Sequence, residues 1–114
     1  MTKKKNVIPS EKLDLYNKLI QTNPAIEAKG SSTAYTSHNG HMFTYLSKDG
    51  ELGIRLPQNN REAFLMKYKT TLLEQYGKIM KEYVKVPEAL LNNTLELEKY
   101  LDISYEYVKS LKPK

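Results

Sequence analysis

The stretch TSHNGHMF, residues 36–43, holds both histidines of the chain, His38 and His41, on either side of Asn39-Gly40. An Asn-Gly turn of type I′ makes the two imidazoles direct cross-strand neighbours, with Cβ atoms about 4.5–5.5 Å apart, near enough to approach one divalent metal or to relay a proton. The rest of either chemistry is missing from the row. A structural zinc takes four protein ligands and a catalytic zinc usually three, whereas the register sets Gln58, a poor ligand, beside His41. A general acid or base would want an orienting carboxylate, and Asp49 and Glu51 belong at the opposite end of the strands. His38 and His41 are therefore read as turn-flanking residues and only weak metal candidates, with no resident metal or cofactor expected.

Other catalytic sets are equally hard to find. The chain has no cysteine, which removes disulfides, thiolate metal sites and cysteine nucleophiles. No Ser-His-Asp order or glycine-rich phosphate loop stands out, and the carboxylates sit singly among lysines, as in SEKLD and LEKYLD. The expectation is a protein that is not an enzyme.

What remains is a mixture of aromatic and basic residues, and the strands decide where it sits. From Ala25 to Leu56, β-branched and aromatic residues alternate around two turn dipeptides, Asn39-Gly40 and Asp49-Gly50, which predicts a three-stranded meander. With two-residue turns at both, one sheet face collects Ala34, Phe43, Tyr45, Leu52, Ile54 and Leu56 as the core. The other face then carries Tyr35, Ser37, Met42, Thr44, Leu46, Lys48, Glu51, Gly53 and Arg55. A later run, IMKEYVKV, separates Met80, Glu82, Val84 and Val86 from Lys81, Tyr83 and Lys85 and reads as a half-buried strand. Tyr35, Thr44, Arg55, Lys81, Tyr83 and Lys85 then form an outward aromatic and basic surface suited to a protein partner, an anionic ligand or single-stranded nucleic acid. Met42 and Leu46 on that face point to a covered surface, such as a homodimer contact.

Helices frame these strands. Ser10 opens a helix in which Leu13, Tyr16, Leu19 and Ile20 share a face, and Asn59 with Glu62 reads as a capping box for a helix through Tyr68. Pro87 starts a short helix, and Asn93 with Glu96 caps a longer one striped by Leu97, Leu101, Tyr105, Val108 and Leu111. A strand near Leu72 to Tyr76 precedes Gly77, without a fixed place in the sheet order. The fold class is α+β: a two-layer arrangement with an antiparallel sheet of about five strands and helices on one face. Residues 1–9 read as a basic tail and 10–114 as one domain.

Charge narrows the partners. Of 18 lysines and arginines, Lys3, Lys4, Lys5, Lys112 and Lys114 lie at the two ends, and the 13 left balance 13 acidic residues, so the net charge of +5 resides in the ends. Lysine-rich ends more often solubilise than bind nucleic acid specifically, though nucleic-acid binding through them stays open. No apolar run approaches the roughly 20 residues of a membrane span, and MTKKKNVIPS lacks the apolar stretch of a signal peptide. A cytoplasmic protein with no membrane partner is expected.

The meander, GIRLPQNNREAF, YGKIMKEYVKVPEALL and ELEKYLDISYEYVKSL together resemble the N-terminal domain of the TfoX/Sxy family over Ser10 to Leu111. The points of likeness are the hairpin leading to GELGIRL with its terminal Arg55, and EYVKVP before the closing helices. The resemblance implies a secretion-chaperone-like α/β domain and a regulatory role through a protein partner such as a transcription regulator, as in competence regulation. AKGSSTAYTS replaces the Met-Phe-Gly-Gly pattern of the first strand, and the chain reads as a single-domain member without the family's helical C-terminal domain.

Overall fold

A computed structural model of the protein describes residues 8–29 and 34–113; Lys3, Lys4, Lys5 and Lys114 of the basic ends lie outside them. Helix α1 (Ser10–Ile20) is followed by strands β1 (Ala34–His38), β2 (His41–Leu46) and β3 (Leu52–Arg55), helix α2 (Gln58–Tyr68), strands β4 (Leu72–Gln75) and β5 (Lys78–Lys85), a single turn α3 (Glu88–Leu91) and α4 (Thr94–Lys109). The five strands form one antiparallel sheet in the order β1-β2-β3-β5-β4. This is the α+β arrangement expected, and it places the strand at Leu72 on the edge beside β5. No helix among the described residues is long and apolar enough to cross a membrane.

The two glycine turns of the meander differ. Asn39 and Gly40 both have positive φ, 53° and 85°, and Ser37, His38, His41 and Met42 pair around them as a two-residue type I′ turn requires. At the second turn only Gly50 has positive φ, 85°. Ser47 N–H donates to the Glu51 carbonyl, so Lys48, Asp49 and Gly50 make a three-residue loop. The Ser47 hydroxyl explains the choice: it accepts from both Asp49 N–H and Glu51 N–H at 3.2 Å, a local serine turn that competes with type I′ geometry.

That extra residue shifts β3 by one against β2. Thr44 now faces Ile54, Tyr45 faces Gly53 and Leu46 faces Leu52, so Thr44 and Leu46 point into the core and Tyr45 points out, the reverse of the expectation from two-residue turns. A second irregularity keeps Phe43 inside. Pairing jumps between Thr36↔Thr44 and Ser37↔Met42, leaving Phe43 as the extra residue of a β-bulge. Phe43 stacks on Tyr105 of α4 with ring centroids 5.5 Å apart, and Thr44 Oγ1 lies 2.7 Å from the Tyr16 hydroxyl of α1.

The helices cover this one face. α4 lies against β1, β2 and β3 and packs on α1, while α2 packs on β5, and Leu97, Leu101 and Val108 of α4 join Ile54, Leu56, Phe64 and Val84 in one apolar cluster. Asn93 caps α4 by accepting from Glu96 N–H, as its spacing predicts. The Glu96 carboxylate does not complete the box. It is held by the Tyr68 hydroxyl and by Lys99 and Lys67, and Tyr68, followed by Lys99, pulls its pKa down to about 2. At the starts of α1 and α2, Pro9 and Pro57 occupy the cap positions without a side-chain bond, where serine and asparagine caps were expected.

β4 and β5 carry a second type I′ turn that the sequence signals did not single out: Tyr76 and Gly77 have φ of 55° and 76°. Their hairpin bends strongly, since Leu72 pairs with Val84 but Glu74 already pairs with Ile79. The bend brings Leu73, fully buried, over the outer side of Gly53, where a Cβ would meet Leu73 Cδ2 at 2.6 Å. Gly53→Ala is expected to cost about 1–2 kcal/mol by overpacking. In urea denaturation its cost and that of Leu73→Ala should sum to more than the cost of the double variant, because the truncated Leu73 makes room for the added methyl.

Candidate binding surface

The sheet face turned away from the helices carries one continuous cross-strand row, Tyr35, Tyr45, Gly53 and Lys85. Alternation dictates its members: in β1, β2, β3 and β5 their neighbours Thr36, Thr44, Ile54 and Val84 form the row buried beneath the helices. Tyr35 and Tyr45 are half-buried. Tyr35 is also tied at the sheet edge, exchanging both backbone hydrogen bonds with Lys29. Burial, then the neighbouring hydroxyl of Tyr76, raises the pKa of Tyr45. Tyr76 itself, from the tip of the β4–β5 hairpin, is 77% exposed, and Ile79 nearby is 60% exposed. The hairpin therefore roofs the β5 side of the face with Leu73, sets the Tyr76 hydroxyl beside Tyr45, and leaves Tyr35 and Tyr45 half-exposed.

The expected surface residues divide. Tyr35 and Lys85 share the outer row, and Lys81 is exposed on β5. Tyr83 lies opposite Arg55 and donates its hydroxyl to the Met42 carbonyl at 2.6 Å, bracing β5 to β2. Arg55 is occupied: its Nε donates to Glu82 Oε1 at 2.6 Å, its guanidinium lies 5.5 Å over the Tyr107 ring, and the Tyr107 hydroxyl donates to Glu82 Oε2. Lys85 pairs with Glu51 at 3.2 Å. Thr44 does not belong to the surface. It has no exposure and bonds Tyr16 and Thr36, because the three-residue loop turned it inward. Leu46 is likewise buried, which removes half of the apolar pair behind the homodimer expectation. Tyr45 and Tyr76 are the residues the sequence reading missed, Tyr45 through the one-residue shift and Tyr76 because Gly77 was not paired with it as a turn.

The histidines meet as neighbours, His38 opposite His41. His41 Nε2 sits 2.6 Å from the Lys112 carbonyl and so carries the proton, which leaves Nδ1 as a buried acceptor without a partner among the described residues. His38 sets its ring edge against Tyr105, centroids 5.6 Å apart. Both rings thus tie the hairpin to α4 and the segment after it. Among the described residues, no three histidine, aspartate or glutamate side chains group to hold a metal.

No protein-family model, curated protein or solved structure matches the chain.

Proposed function

We propose that the protein is a non-enzymatic regulatory or adaptor domain of the cytoplasm that works through protein–protein contacts on the helix-free sheet face. The observation that carries this reading is the Tyr35 and Tyr45 pair, adjacent across β1 and β2 and half-exposed on the face turned away from the described helices. Rigid tyrosines supply large amphipathic contact area at small entropic cost and are enriched at protein interfaces. The resemblance to the TfoX/Sxy N-terminal domain makes a transcription regulator the partner class to look for. The pairing of Arg55 with Glu82 and of Lys85 with Glu51 favours a protein over nucleic acid, since it removes much of the positive field that phosphate binding uses.

Affinity capture of the tagged protein from its native lysate, with and without nuclease, tests the proposal. A protein that survives nuclease is expected, and a Tyr35→Ala/Tyr45→Ala variant should lose it by about tenfold or more, as for central aromatic contacts. Equal recovery on the double variant would move the contact elsewhere, and loss of all captured material on nuclease treatment would give nucleic acid first place.

A further inference from the structure

On the helical side, α4 presents a shallow, open groove of about 460 Å³ lined by Pro57, Asp102, Ile103, Glu106 and Tyr107. Its floor is apolar. Ile103 and Tyr107 sit four apart on α4 and therefore on one ridge, both half-buried, and Pro57 at the entry to α2 makes the opposite wall. The Tyr107 ring is fixed before any ligand arrives, with its hydroxyl on Glu82 and the Arg55 guanidinium against its face; a wall held this way costs a ligand little ordering entropy. The neighbouring α4 ridge is acidic: Glu98, Asp102 and Glu106 follow at the same four-residue spacing. Like charges so placed repel one another. Their compensation is slight and solvent-exposed, Lys109 on Glu106 at 2.9 Å and the Asn23 amide 3.5 Å from Asp102, so incoming cations can replace it at low cost. On the α2 side the Arg61 guanidinium donates to the Leu56 carbonyl.

We propose that this groove docks a partner segment in which one apolar residue is flanked by lysines or arginines. The apolar residue seats on Ile103, Tyr107 and Pro57, and its basic neighbours reach Asp102 and Glu106. An apolar centre with a charged rim is the usual anatomy of a peptide contact, and the rim's sign selects the basic partner. The groove is built on α4 and α2 rather than on the Tyr35 and Tyr45 face, so the two readings fail or stand separately.

Fluorescence anisotropy with a synthetic peptide carrying one leucine flanked on each side by lysines tests it, alongside a leucine-to-serine peptide and one with glutamates for lysines. Saturable binding of the first peptide is expected, weakened about tenfold or more by Asp102→Lys/Glu106→Lys and about tenfold by Ile103→Ser or by the serine peptide. Unchanged unfolding midpoints show the variants to be folded. Absent binding to the wild type, or equal binding of the serine or glutamate peptide, overturns the proposal. A wild-type dimer in sedimentation that Asp102→Lys/Glu106→Lys dissociates also overturns it, by assigning the groove to a second copy of the chain.

Discussion

Thr44→Lys is expected to leave the protein largely unfolded, whereas Tyr45→Lys, one residue along the same strand, is expected to be tolerated within about 1 kcal/mol. Thr44 has no exposure, and its hydroxyl lies 2.7 Å from the Tyr16 hydroxyl and 2.6 Å from Thr36 Oγ1. The groups bonded to Thr44 are hydroxyls and its row continues through Ile54 and Val84, so among the described residues no carboxylate is paired with this position. The ammonium must give up its charge, drag its strand outward or stay buried unpaired, and each of these costs several kcal/mol. Against a total stability of roughly 5–15 kcal/mol for a small domain, a loss of about 4 or more leaves little. Under a two-residue turn at Asp49-Gly50 the two outcomes would exchange, because a one-residue slip sends every side chain to the other face. Circular dichroism of the two variants decides between the registers; a folded Thr44→Lys with an unfolded Tyr45→Lys would show that β2 and β3 pair as the dipeptide alone suggests.

The same turn measures how far the sequence could be read. Element order, strand count and the one-sided helices follow from apolar period and breakers, signals summed over many residues: α4 stripes Leu97, Leu101 and Val108 into the core, and Val84 on β5 and Val86 just beyond its end are buried as alternation requires. The candidate surface depended instead on single turns. Asn39-Gly40 turned as type I′, but at Lys48-Asp49-Gly50 the Ser47 hydroxyl oxygen accepts from two backbone N–H groups and stabilises a longer loop. Serine at that spacing did not by itself mark the longer loop, because Ser37 stands at the same distance before Gly40, where its hydroxyl accepts from Lys29 Nζ instead. The bulge at Phe43 and the bend between Leu72 and Glu74 have no such local mark; they arise where the sheet meets Tyr105 and Gly53. The curled hairpin that brings Tyr76 to Tyr45 is thus a product of tertiary packing. Arg55 shows the complementary error. Its type and position suggested a free cation, and only the fold brings Glu82 and Tyr107 to occupy it.

In strong base the unfolding free energy of the wild type should fall by about 3 kcal/mol more than that of Tyr16→Phe. Burial drives the Tyr16 hydroxyl up from 10 to about 12, against smaller opposing effects of its bonds to Thr44 and Thr36. The folded state therefore keeps this proton where the unfolded chain has lost it. The resulting contribution is whole below pH 10, the unfolded value, and disappears as the pH rises through 12; two units correspond to about 3 kcal/mol. Near neutrality the order is reversed. Removing the hydroxyl forfeits its bond to Thr44, about 1 kcal/mol net, while Thr36 and Thr44 keep their own bond at 2.6 Å. Tyr16→Phe thus starts below the wild type and loses less, so the two stability curves cross between pH 10 and 12. Tyr45, Tyr68 and Tyr83 are raised as well, which destabilises both proteins in base and cancels in the difference. Urea midpoints measured in parallel from pH 8 to 12 read that difference directly. Curves that stay parallel would mean that the Tyr16 hydroxyl is open to water, and that α1 does not seal the Thr36–Thr44 row.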